Sequence, residues 1–328
     1  MKEIPYQRFG LVFDEYFREA LNQFPQEPKN LYEPLRYFLG LGGKRVRPLL
    51  VLIAADFFDA DISKALPAAT SVELFHNFSL IHDDIMDNAP LRRNQQTVHE
   101  KWNRSVAILS GDALFVKAYQ QLAKSNKEIV QQLEVVFSKM ALEVCEGQQF
   151  DMDFETYQQV TINEYINMIR LKTAVLLGCS LQMGAICASA SQNDAELIYQ
   201  AGEKLGIAFQ LTDDYLDVFG NPDQVGKQVG GDIISNKKTW LLIKALELAK
   251  NEDQKKLQRL LSEKDFDAQE KVNAVKNIFS TLNLHNLIQQ EIVRYYQDAV
   301  TLLHSISASK EKVNVFIQFA QDLMKRQK

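Results

Sequence analysis

The chain has 328 residues, of which 46% are hydrophobic and 24% charged, and a formal net charge of −5. This balance is typical of a soluble globular protein and argues against a broad basic surface for nucleic acid. No secretory signal is visible, no apolar stretch is long enough to span a bilayer, and three cysteines without a C-x-x-C pair fit a reducing compartment, so we expect a cytoplasmic protein.

The placement of proline predicts the fold class. Seven of the eight prolines lie at or before position 90, and the eighth is Pro222, so two long stretches contain no helix breaker. Apolar residues recur in these stretches at three- and four-residue spacing, and strand-like alternation is absent. In chain order, helices are predicted over 109–122, 129–150, 165–187, 195–219, 239–249 and 284–303. We expect one all-α domain over 1–328, with 1–30 as an N-terminal helical appendage.

Two aspartate triads share one spacing, Asp83-Asp84-x-x-Asp87 and Asp213-Asp214-x-x-Asp217. On a helix, carboxylates at i, i+1 and i+4 are close neighbours and repel one another. An all-oxygen cluster of this kind favours a hard cation such as Mg²⁺. One triad is equally well explained as a solvated acidic face, but two copies inside apolar stretches favour a metal site.

Basic and polar residues accompany each triad. Lys44, Arg45 and Arg47 lie in a glycine loop that opens a helix, and Arg92-Arg93 follow the first triad. Around the second triad the corresponding residues are Lys172, Thr173, Gln210, Lys227 and Lys237. Each of these alone is more often part of a solvated loop. Together with the aspartates they suggest a diphosphate bridged by metal ions and held by cations.

In these motifs, together with Gly111-Asp112, the chain resembles the trans-isoprenyl diphosphate synthases, the polyprenyl synthetase family of the class I terpenoid synthase fold. The resemblance covers most of the chain. It implies a large antiparallel helical bundle with the triads facing a central cavity, and a homodimer. It also implies a prenyltransferase that condenses isopentenyl diphosphate with dimethylallyl, geranyl or farnesyl diphosphate by ionisation, condensation and elimination, the released diphosphate taking the proton.

The resemblance further implies a role for each site residue. The leading Mg²⁺ ligands would be Asp83, Asp87 and Asp213. Further ligands or supporting residues would be Asp84, Asp214 and Asp217, with three ions in all. The allylic diphosphate would be held by Arg92, Lys172, Gln210, Lys227 and Lys237, and Thr173 would join this catalytic set. Isopentenyl diphosphate would be bound by Lys44, Arg47, His76 and Arg93. The C-terminal residues 325–328 resemble a basic tail that closes over this second site in some members.

Product length is predicted from the helix before the first triad. Phe75, Phe78 and Ser79 share one stripe with His82, and Phe78 lies about 7–8 Å along the axis from Asp83. In the family, bulky residues at the fifth and fourth positions before the triad accompany short products. Here the fifth is aromatic and the fourth is small, which predicts a C15–C20 product, with C20 slightly favoured.

Several alternatives remain at this stage. A synthase of longer polyprenyl chains differs only in product length. A class I terpene cyclase generally carries a different second metal motif, and a non-catalytic subunit would have eroded triads. Glu73-x-x-His76 matches half of a di-iron carboxylate motif, but no second copy occurs. Asp151 is interpreted as a helix end or a packing element near Gln148.

Overall fold

Helices make up nearly all regular structure in the computed structural model, which describes residues 7–220, 230–263 and 267–325. In chain order they are α1 (Gln7–Asn22), α2 (Lys29–Gly40), α3 (Val46–Phe57), α4 (Leu66–Met86), α5 (Val98–Lys101), α6 (Arg104–Leu122), α7 (Val130–Thr156), α8 (Ile162–Ile169), α9 (Val175–Cys187), α10 (Gln192–Phe219), α11 (Gly231–Ile234), α12 (Trp240–Leu248), α13 (Asn251–Ser262), α14 (Ala268–Thr281), α15 (Leu284–His304) and α16 (Lys310–Lys325). The all-α prediction is confirmed.

Two local departures from regular helix matter for the site. A π-helical turn, Arg170–Ala174, joins α8 to α9. A short antiparallel hairpin, β1 (Leu91–Arg92) and β2 (Gln95–Gln96), follows α4. Its two loop residues, Arg93 and Asn94, both have positive φ (53° and 60°), as a type I′ hairpin loop requires. We predicted no strand, because two-residue strands are too short to show alternation.

The chain divides into two compact units, residues 1–141 with 179–199, and residues 142–178 with 200–328. In the first unit α4 packs against both α3 and α6. Its buried side chains lie all around the helix, as expected of a central helix. Helix α1 contacts α3 and α4, and buries Phe13 and Phe17. The single domain over 1–328 stays a prediction.

The second unit has its own apolar core. Side chains of α8, α10, α12, α14 and α15 form this core, among them Met168, Leu211, Trp240, Val275 and Ile288. Helix α8 begins with a capping box, in which Thr161 and Glu164 satisfy each other's backbone N–H groups. Among the described residues, the stretch Ile162–Cys187 is apolar and long enough to cross a membrane by composition alone. Because 78% of its apolar window is buried, it fits a core helix of a soluble protein.

Candidate active site

The first triad occupies the C-terminal turn of α4, and its carboxylates differ in exposure. Asp84 is only 1% exposed, whereas Asp83 is half-buried and Asp87 is exposed. Arg92 of β1 donates from Nε to Asp84 Oδ1 (2.7 Å), and its Nη2 lies 3.5 Å from Asp83 Oδ2. Burial raises the pKa of Asp84 to about 6, although Arg92 opposes the shift. Asp84 therefore holds the turn from its buried side, Asp83 is half-buried beside it, and Asp87 faces the solvent.

The second triad repeats this arrangement near the C-terminus of α10. Asp214 is 3% exposed and accepts hydrogen bonds from the Tyr165 hydroxyl and from Gln210 Nε2. Burial raises the pKa of Asp214 to about 7. Asp213 is exposed, and Asp217 Oδ2 accepts from the backbone N–H of Asp232 (3.1 Å). Both triads thus lie where the helix dipole is negative, so their exposed carboxylates favour a bound cation.

The π-helical turn presents Lys172 and Thr173 to different partners. Lys172 Nζ donates to Asp151 Oδ2 (2.6 Å), and Lys237 Nζ lies 4.0 Å from the same oxygen. Thr173 Oγ1 donates to Gln210 Oε1 (3.4 Å). Although burial opposes it, the two lysines lower the pKa of Asp151 and keep it ionised. Asp151 is therefore more than a helix end, because it holds both described lysines that we predicted to bind the allylic diphosphate.

The predicted isopentenyl diphosphate residues gather around the glycine loop. Arg47 Nη1 lies 3.1 Å from His76 Nε2, and Arg93 donates to the carbonyl of Gly42. Gly42 and Gly43 have positive φ (78° and 146°), which favours glycine at both positions. Lys44 is exposed beside them. The loop thus presents several cations in a small region.

Burial sets the protonation states in this cation group. Desolvation, followed by the positive charge of Arg47, lowers the pKa of His76 far below its usual value, so His76 is neutral and accepts from Arg47 at Nε2. Burial also lowers the pKa of Arg47 to about 10, which leaves it charged at neutral pH. Within the described part of the chain, the buried Nε of Arg47 has no hydrogen-bond partner.

Glu73 is a residue whose role the sequence did not reveal. It is 3% exposed and forms an ion pair with Arg45, the third basic residue of the glycine loop. Arg45 has a positive φ (49°) and also donates to the carbonyl of Leu39 (3.2 Å). Glu73 therefore secures the loop through Arg45.

The predicted chain-length residues belong to an aromatic cluster on α4, α6 and α7. The ring of Phe78 stacks on Phe115 with 5.0 Å between centroids and 29° between planes. Phe75 is fully buried and contacts both rings and Phe137. Ser79 Oγ donates to the carbonyl of His76 and occupies little space beside Phe78. The cluster fills this part of the first unit with large apolar side chains.

Two sequence predictions fall outside the described residues, namely Lys227 and the tail at 326–328. Among the residues that the structure describes, no group of three or more aspartate, glutamate, histidine or cysteine side chains could hold a metal by itself.

Comparison with known proteins agrees with these features. The model of the polyprenyl synthetase family matches residues 28–279. The short chain isoprenyl diphosphate synthase of Methanocaldococcus jannaschii is 39% identical over 84% of this chain and 86% of that protein. The geranylgeranyl diphosphate synthase of Sulfolobus acidocaldarius is 35% identical over 91% and 94%, respectively. A crystal structure of a geranylgeranyl pyrophosphate synthase has a TM-score of 0.93 and 44% identity, covering 99% of both chains. The chain therefore belongs to the polyprenyl synthetase family, and it is a prenyltransferase that elongates short trans-prenyl chains.

Proposed function

We propose that the chain condenses isopentenyl diphosphate head to tail with an allylic diphosphate (dimethylallyl, geranyl or farnesyl) and makes a C15–C20 trans-prenyl diphosphate, with C20 slightly favoured. The observation that carries this proposal is the common design of the two triads, in which the middle carboxylate is buried and the first is more exposed. The separate cation group around Arg47 and Arg93 suits a second diphosphate.

The triads fit the metal on which prenyl diphosphate synthases generally depend, which is Mg²⁺. Asp83, Asp87 and Asp213 would be its leading ligands, and three ions would serve the site. Asp84 and Asp214 would support these ligands through the hydrogen bonds that bury them. When bound, the metal neutralises the allylic diphosphate and makes it a better leaving group.

The cations of the chain assist the same departure. Lys172, Lys237 and Arg92 would donate to the allylic diphosphate and stabilise the negative charge that develops as its C–O bond breaks. Lys44, Arg47 and Arg93 would bind isopentenyl diphosphate. Since His76 accepts a hydrogen bond from Arg47 at Nε2, that nitrogen is not a general base. The proton lost after condensation would instead go to the released diphosphate, as the family resemblance implies.

The aromatic cluster would set the product length. A growing hydrocarbon chain, anchored at its diphosphate, would extend along α4 until it meets the stacked rings of Phe78 and Phe115. Large apolar side chains there would also exclude water, which would otherwise quench the allylic cation.

Product analysis tests both parts of the proposal. Purified protein would be incubated with Mg²⁺, isopentenyl diphosphate and allylic primers of increasing length, and the products sized by chromatography. We expect C15–C20 products from the wild type, and a shift of at least one isoprene unit upward for Phe78→Ala. Phe58→Ala is the matched control, because Phe58 is also half-buried but packs against Phe57. Absence of condensation would contradict the function, and an unchanged distribution in active Phe78→Ala would contradict the role of Phe78.

We also propose that the protein is a cytoplasmic homodimer. Ile108, Leu109 and Val116 on α6 and Val135 on α7 are exposed apolar side chains of the first unit. Exposed apolar groups of this kind mark protein–protein interfaces when they are contiguous. Light scattering after gel filtration should give twice the chain mass of 37.5 kDa, and Leu109→Glu should lower it. A wild type that elutes at the single-chain mass would disprove the dimer.

A further inference from the structure

Lys271 of α14 is a buried cation outside every motif that the sequence analysis identified. Its side chain is 1% exposed. Its Nζ donates to Asn236 Oδ1 (2.7 Å) and lies 3.5 Å from the carbonyl of Ile234. Asn236 has a positive φ (55°) and donates from Nδ2 to the carbonyl of Leu261 (3.1 Å). Lys271 therefore supports the segment 230–237 at its C-terminal end.

The next residue of α14 supports the other end of the same segment. Gly230 has a φ of 89°, and a Cβ atom placed there would lie 2.7 Å from the side chain of Val272. Gly230 donates its backbone N–H to the carbonyl of Asp217 (2.7 Å), and Asp232 donates to Asp217 Oδ2 (3.1 Å). Two adjacent residues of α14 thus hold both ends of a segment that contacts the second triad.

The position of this segment determines the position of Lys237. Lys237 directly follows Asn236, and its backbone N–H donates to the carbonyl of Asp232 (2.9 Å). A small hollow lined by Asp232, Lys237, Val275 and Phe279, among others, lies between the segment and α14. Lys271 adds the hydrogen bonds to Asn236 and to the carbonyl of Ile234 that hold the segment against α14.

A role in stability alone does not account for a buried ammonium group at this position. Burial lowers the pKa of Lys271, and desolvation of its charge opposes folding. Replacing a buried charge together with its partners by apolar side chains is often neutral or stabilising, so a stable core alone does not require this group. What an apolar side chain cannot do is donate to Asn236 and Ile234.

We propose that Lys271 is a positioning residue for the allylic diphosphate: through Asn236 it places Lys237, and through the segment 230–232 it helps to orient Asp217. The inference rests on the proposed function, in which these two groups serve the allylic diphosphate and its metal.

The test compares Lys271→Met with wild type, using isopentenyl diphosphate, geranyl diphosphate and a Mg²⁺ titration. We expect the KM for geranyl diphosphate and the half-saturating Mg²⁺ concentration each to rise about tenfold, because misplaced binding groups weaken the affected contacts. The KM for isopentenyl diphosphate should stay at the wild-type value. The midpoint of denaturant unfolding should fall only modestly, because Asn236 Oδ1 and the carbonyl of Ile234 lose a donor, and the variant should stay folded under assay conditions. Lys271→Arg should restore much of the loss, since a guanidinium can donate to the same two oxygens. Lys276→Met, the same change on the same helix, should behave as wild type.

Different outcomes overturn different claims. If Lys271→Met kept wild-type constants, raised both KM values equally, or lost stability in proportion to activity, Lys271 would not be a positioning residue. A wild type that condensed no substrate would overturn the proposed function instead. In that case, calorimetry of inorganic diphosphate binding in the presence of Mg²⁺ tests the role of Lys271 separately. Binding about tenfold weaker in Lys271→Met supports the inference, and equal binding overturns it.

Discussion

Gly147 of α7 allows the π-helical turn to approach the helix backbone. A Cβ atom placed at Gly147 would collide with the backbone nitrogen of Lys172 and would lie 2.7 Å from both Lys172 Cα and Leu171 C. Ordinary contact begins at 3.4 Å, so in Gly147→Ala the two carbon contacts alone require the backbones to separate by about 0.7 Å, and the closer contact with the nitrogen requires more. Because Asp151 lies one helical turn further along α7, the separation also strains its ion pair with Lys172.

Two opposing terms set the stability of Gly147→Ala. Overpacking of a close contact costs about 1–3 kcal/mol, and replacing a helical glycine by alanine returns about 0.5–1 kcal/mol. We therefore expect the free energy of unfolding to fall by up to about 2.5 kcal/mol. A catalytic group misplaced by about 1 Å can lower the rate about 10²-fold. We thus expect kcat/KM for the allylic substrate to fall by one to two orders of magnitude while the KM for isopentenyl diphosphate changes little.

Denaturant unfolding and steady-state kinetics would measure these effects, with Gly10→Ala as the control. Gly10 lies in α1, and a Cβ atom there would meet nothing within 4 Å. Gly10→Ala should therefore be stabilising by about 0.5–1 kcal/mol and fully active. If Gly147→Ala were as stable as Gly10→Ala and as active as wild type, the close approach would not position Lys172.

Three further predictions concern the triads and the two diphosphate groups. Asp83→Ala or Asp213→Ala should lower turnover by orders of magnitude while the helical circular dichroism persists; near wild-type turnover with magnesium chelated would contradict the metal role. Arg47→Ala should chiefly raise the KM for isopentenyl diphosphate, and Lys172→Ala should chiefly impair the allylic substrate; equal damage to both substrates would contradict the assignment. Burial raises the pKa of Asp214 to about 7, so the native state binds more protons than the unfolded state between roughly pH 4 and 7. With a chelator present, the free energy of unfolding should therefore fall by up to about 4 kcal/mol as the pH rises through that window. Asp214→Asn should flatten this decline, and an unchanged slope would refute the prediction.

The helices and the triads could be predicted from the sequence because their signals are local. Proline is excluded from long segments, apolar residues recur with the helical period, and each Asp-Asp-x-x-Asp motif lies within five residues. The motifs also identified residues that the structure places together, such as Arg47 and His76. These features need no knowledge of distant partners.

The supporting residues could not be predicted, since their roles depend on tertiary partners. Asp151 meets Lys172 across 21 positions, and Glu73 meets Arg45 across 28. The triad spacing likewise does not say which carboxylate is buried, because that depends on where Tyr165 and Arg92 lie. The sequence did contain one indication of the role of Asp151. It lies four residues after Gly147, where the turn with Lys172 approaches α7, and the two positions share one face of the helix.

The wide turn at Arg170–Ala174 makes the number of residues there as important as their identity. In a regular α-helix, consecutive side chains point about 100° apart, and a π-helical turn accommodates one additional residue. Removing one residue from 170–174 would let α8 and α9 join as one regular helix, and the side chains on either side of the turn would keep nearly the same phase, because the wide turn had absorbed the additional residue. Inside the turn, however, four side chains would share the space of five, which would move Lys172 or Thr173 away from its partner, Asp151 or Gln210. A one-residue deletion in this turn should therefore preserve the two helices and chiefly impair the site.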